Sequence, residues 1–134
     1  MRRLGKKVSL VKSVDVDKIH IERYLFSTNA LVIELPLDSQ PDYVWQTFFE
    51  QEWKSSLDLW ERKVTIIGDK LLLITTPTEM EEKIDWLKKV IESTNMGVER
   101  FNQTRRIIEE AKTEELRRHV NIIRDALRMR LLPV

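Results

Sequence analysis

Two histidines, three glycines and no cysteine limit the chemistry this 134-residue chain can perform. A nucleophile with its base, a metal cluster, a phosphate-cradling loop or a carboxylate dyad would each leave a residue pattern, and the sequence holds none of them. His20 sits in the strand-like run Ile19-His20-Ile21-Glu22 and reads as an edge or partly buried structural residue. His119 stands among arginines and reads as part of a solvated face. Gly5, Gly68 and Gly97 are too scattered for a dinucleotide or P-loop motif. The pairs Glu50/Glu52 and Glu81/Glu82 point different ways on helices, so a working dyad would need a second element. No catalytic residue, cofactor or metal is predicted, and the expected protein is not an enzyme.

Charge is the second candidate for chemistry. The formal net charge of +1 is unevenly spread, with both ends basic and the segment 38–61 acidic. Arg2, Arg3, Lys6 and Lys7 at one end, and Arg117, Arg118, Arg124 and Arg128 at the other, would track a phosphate backbone if the two ends meet. Nucleic-acid binding is therefore the alternative reading. Against it stand a pI near 8.0, acids interleaved up to Glu115, no RNP-like or GXXG signature, and aromatics gathered on the acidic segment. A solvated helix face and a disordered basic arm account for the same charges more plainly.

The elements that would position these residues are clearest between Ala30 and Asn95. Residues 30–35, ALVIEL, read as a buried strand ended by Pro36. Ser39-Gln40-Pro41-Asp42 then predicts a helix start, with Ser39 as cap and Pro41 in the first turn. Trp45, Phe48, Phe49, Trp53, Leu57 and Trp60 follow on one face, with Asp42, Gln46, Glu50, Lys54 and Asp58 opposite. Core packing against a sheet is the expectation for this stripe. Trp60, at its end, is the residue most available to a partner.

Two β-rich runs flank Gly68-Asp69, predicting a two-residue hairpin with Ile67 opposite Lys70, Ile66 opposite Leu71 and Val64 opposite Leu73. One face carries Val64, Ile66, Leu71 and Leu73, the other Thr65, Ile67, Leu72 and Ile74. Both are substantially apolar, which predicts a cover for each. Thr76-Pro77-Thr78-Glu79 reads as a capping box opening a helix over 77–94, and Asn95-Met96-Gly97 as its stop. Lys7-to-Val14 and Lys18-to-Leu25 are candidate strands upstream. Beyond Gly97 the pattern is helical to about Leu132, supported by Glu114/Arg118 and Glu115/His119 pairs, with an apolar stripe that shifts phase near Lys112–Glu115.

The predicted fold is α+β: a two-layer sandwich whose antiparallel sheet carries a βαββα core related in architecture to ferredoxin-like folds. N-terminal strands and a long C-terminal helical extension complete it. Residues 1–29 form a basic arm and edge strands, 30–95 the core, and 98–132 a C-terminal helix or helix pair, all in one compact domain. The expected function is non-catalytic association with another protein or, foremost, with a second copy through Leu116, Val120, Ile123 and Leu127 and the second sheet face. Lys12 and Asp15 interrupt any signal-peptide core and no segment is long enough to span a membrane. With no cysteine to oxidise, a cytoplasmic setting without membrane contact is expected.

Overall fold

The computed structural model describes residues 4–26, 29–55 and 64–132. Its β-branched and leucine-rich runs form four short strands: β1 (Ile21–Arg23), β2 (Leu31–Pro36), β3 (Val64–Ile67) and β4 (Lys70–Thr75). The two amphipathic runs form α1 (Tyr43–Lys54) and α2 (Met80–Leu131). The chain is thus α+β, and its contacts divide it into two compact units, Met1–Glu99 and Arg100–Val134.

All strand pairings are antiparallel, in the order β1-β2-β4-β3. The β3–β4 hairpin has the register its sequence predicts, Val64 opposite Leu73, Ile66 opposite Leu71 and Ile67 opposite Lys70. Gly68 takes φ +60, a left-handed conformation that costs glycine nothing and any β-carbon strain. Alternation then sorts the side chains. Ile33, Leu35, Val64, Leu71 and Leu73 point into the core, where Trp45 and Phe49 of α1 and Leu87, Val90, Ile91 and Val98 of α2 meet them. Trp45 and Phe49 stack with ring centroids 4.9 Å apart. Core packing is therefore the role of the first half of the aromatic stripe; Leu57 and Trp60 lie outside the described residues.

Four local expectations are corrected. The cap of α1 is Asp42 rather than Ser39, because the carboxylate can serve two donors at once. Its Oδ1 accepts the Trp45 N–H at 2.8 Å and its Oδ2 the Lys6 N–H at 3.0 Å. The predicted box at Thr76-Pro77-Thr78-Glu79 is a turn preceding α2. There the Thr76 carbonyl, not its hydroxyl, takes the Glu79 N–H, and the Glu79 carboxylate holds buried Lys83 at 3.2 Å. Lys7-to-Val14 is not a strand. It pairs with the sheet only at the Leu10–Leu37 bridge, and Val8 is buried by other means.

The fourth correction explains the third. Asn95-Met96-Gly97 does not stop the helix, because both signal residues are engaged elsewhere. The Asn95 side chain reaches away from its own backbone, accepting from Val8 N (3.0 Å) and Trp45 Nε1 (2.8 Å) and donating to the Val8 carbonyl (2.9 Å). Gly97 is small for the sake of α1: a β-carbon there would stand 3.0 Å from the Phe48 ring. Neither residue adopts the capping conformation, so α2 continues without interruption to Leu131.

Candidate interaction surface

Leu116, Val120, Ile123 and Leu127 recur at spacings of four, three and four, which on a helix of 3.6 residues per turn confines them to an arc of about 60°. The structure places all four on α2. Leu116, Ile123 and Leu127 are exposed and Val120 is half-buried. Ile122 and Met129, both exposed, lie on the other side of the helix, about 130–150° from the centre of the stripe. Of the large apolar side chains exposed among the described residues, nine lie between Ile107 and Leu132. They point to several sides of the helix, and the stripe from Leu116 to Leu127 is the part of them that shares one narrow arc.

The arginines do not form one group. On the same helical geometry Arg117, Arg124 and Arg128 fall within about 40° of one another, along one flank of the apolar stripe, while Arg118 lies about 80–120° away. Two of the row are already engaged by acids one turn earlier: Arg117 by Glu114, and Arg128 by Asp125 at 2.7 Å. The expected Glu114–Arg118 pair gives way to Glu114–Arg117, since the guanidinium three residues on is equally within reach. Arg124 makes no ion pair among the described residues. At the other end of the chain, Lys7 pairs with Glu99 at 3.0 Å and Lys6 is exposed, while Arg2 and Arg3 lie outside the described residues, as does Trp60.

A second surface lies on the sheet. Val32, Leu72 and Ile74 are half-buried, and Thr65 and Ile67 are exposed, on the face opposite the core. Among the described residues, none of this face enters the buried cluster. Pairing of β1 with β2 puts Glu22 opposite Val32, hence on this same face as Glu34. His20 joins them, its Nε2 lying 3.2 Å from Glu22 Oε2 and 3.6 Å from Glu34 Oε2. Lys70 occupies the hairpin end, where β4 pairs with Pro36. The sequence hid this acidic corner, because the register of β1 depends on the link from Tyr24 N–H to the Ala30 carbonyl rather than on a recognisable turn.

Between the N-terminal segment and α2 runs an open groove of about 680 Å³, lined by Lys7, Leu10, Lys12, Lys88, Ile91 and Met96 among others. Its lysines share it with Glu92 and Glu99, so it favours neither sign of ligand. Among the described residues no group of three or more His, Asp or Glu side chains is placed to hold a metal ion, and no helix is long and apolar enough to cross a membrane. No protein-family model, no curated protein and no solved structure matches the chain.

Proposed function

We propose that the protein acts by association without catalysis, as a homodimer joined through its C-terminal helix. The observation that carries this reading is the stripe of exposed Leu116, Ile123 and Leu127 with half-buried Val120 on an uninterrupted helix. A helix gains most of its stability from packing an amphipathic face, so a stripe left in water calls for a partner surface. A second copy is the partner always present at the protein's own concentration, and closed two-fold pairs are the commonest solution. The strand order β1-β2-β4-β3 fits a two-layer, ferredoxin-like-related sandwich in which β1 takes the place of the final strand. The lack of cysteine fits a cytoplasmic setting.

Light scattering on a sizing column, with the 260/280 nm ratio recorded across the peak, tests the proposal. A mass of twice 16.0 kDa with a protein-like ratio is expected, and Val120→Glu with Ile123→Glu should give soluble monomers. A monomeric wild type would overturn self-association, and an unchanged dimer in the double variant would overturn this stripe as its basis. A high 260 nm ratio that falls with salt, and on replacing Arg117, Arg118, Arg124 and Arg128 by alanine, would instead establish binding to a phosphate backbone.

A further inference from the structure

We infer that the C-terminal helix of one copy lies across the second sheet face of the other, its arginine row against Glu22 and Glu34. This rests on the self-association reading and specifies where the stripe docks. Three observations lead to it. Each surface lacks what the other offers: the helix exposes or half-exposes a run of Leu, Val and Ile, and the sheet face exposes or half-exposes Val32, Ile67, Leu72 and Ile74, which lie outside the buried cluster of the described residues. Packing one on the other gives both the second layer that an apolar face requires.

Size agrees. From Leu116 to Leu127 the stripe rises about 16 Å at 1.5 Å per residue. Four strands at about 4.8 Å spacing span about 14 Å from the first to the last. One helix therefore crosses the whole sheet with its four apolar residues. Charge agrees too. Glu22 pairs with Val32, so Glu34 is its diagonal neighbour on that face, about 7–8 Å away. Arg124 and Arg128 are one turn apart, about 6 Å along the same flank of the stripe. Two guanidiniums can thus meet two carboxylates while the leucines lie on the sheet. Lys70 pairs with Pro36, diagonal to Glu34 and beyond it from Glu22, so it repels an arginine row displaced toward the hairpin. The helix is taken from a second copy because that is the partner the self-association reading supplies. In a two-fold pair the contact forms twice, which brings the buried area toward that of a stable dimer.

The test uses full-length chains and charge reversal. Glu34→Arg and Arg124→Glu, each alone, should raise the dimer dissociation constant about tenfold or more, measured by sedimentation across a dilution series. Mixed in equal amounts, the two variants should recover the wild-type dimer, because one of the two contacts is then native and the other has its charges exchanged. That recovery also shows that both variants fold, and Glu22→Arg, at an exposed position, serves as a second acidic-side variant. If Val120→Glu with Ile123→Glu dissolves the dimer while Glu34→Arg and Glu22→Arg leave it intact, the helices pair with each other. Self-association then survives and this docking site is wrong. Weakening by both acid reversals without recovery on mixing also overturns the pairing, and a monomeric wild type overturns the inference together with the reading beneath it.

Discussion

Leu87 and Leu127 occupy the same helix, α2, and meet opposite fates: the first is 0% exposed and the second 48%. Both lie on amphipathic stripes of similar composition, so the difference is not in the helix. It lies in what the rest of the unit supplies. Within Met1–Glu99 the core-facing strands and the aromatics of α1 close over Leu87, Val90, Ile91 and Val98. Within Arg100–Val134 the described residues are helix as far as Leu131, and most of the stripe is exposed. A hydrophobic period thus specifies a helix and its sticky side, while burial is decided by whether a second element exists to receive it.

The sharpest way to break the contrast is to remove the aromatic anchor of the buried half. Trp45→Ala deletes a fully buried indole stacked on Phe49 and hydrogen-bonded to Asn95. It should lower stability by about 3–5 kcal/mol, seen as a collapse of the urea midpoint. A smaller change tests the two leucines directly, on the Val120→Glu, Ile123→Glu background to keep association out of the measurement. There Leu87→Ala should cost about 3 kcal/mol and Leu127→Ala less than about 0.5 kcal/mol; equal costs would mean that the stripe is buried within the monomer. Smallest is Gly97→Ala. Helix propensity gains about 1 kcal/mol, but displacing the Phe48 ring costs about 1–3 kcal/mol. A net loss near 1 kcal/mol is expected, and a gain in thermal midpoint would show that the ring moves freely.

Local signals were legible to the extent that they closed within a few residues. The hairpin at Gly68-Asp69 and its register follow from one turn and strict alternation, and both appear as expected. The stripe of α1 was readable by period alone, but its cap was not, since Ser39 and Asp42 both suit the role. Only the Lys6 amide arriving from 36 residues away favours the carboxylate. Asn95 and Gly97 were misread for the same reason: they look like a helix stop, and their meaning depends on Val8, Trp45 and Phe48, all distant in sequence. On the candidate surfaces, the Leu116-to-Leu127 stripe could be found from spacing. The acidic corner of Glu22, Glu34 and His20 could not, because it exists only once β1 pairs with β2.

The Asn95 side chain has a further consequence for how the chain is made. It holds both backbone groups of Val8, a residue 87 positions earlier, and the indole of Trp45, 50 positions earlier. During synthesis the first of these leaves the ribosome long before its partner does. Residues around Val8 must therefore wait, with the amide and carbonyl of Val8 served by water, until Asn95 has been translated. A segment made early thus settles only after one made much later.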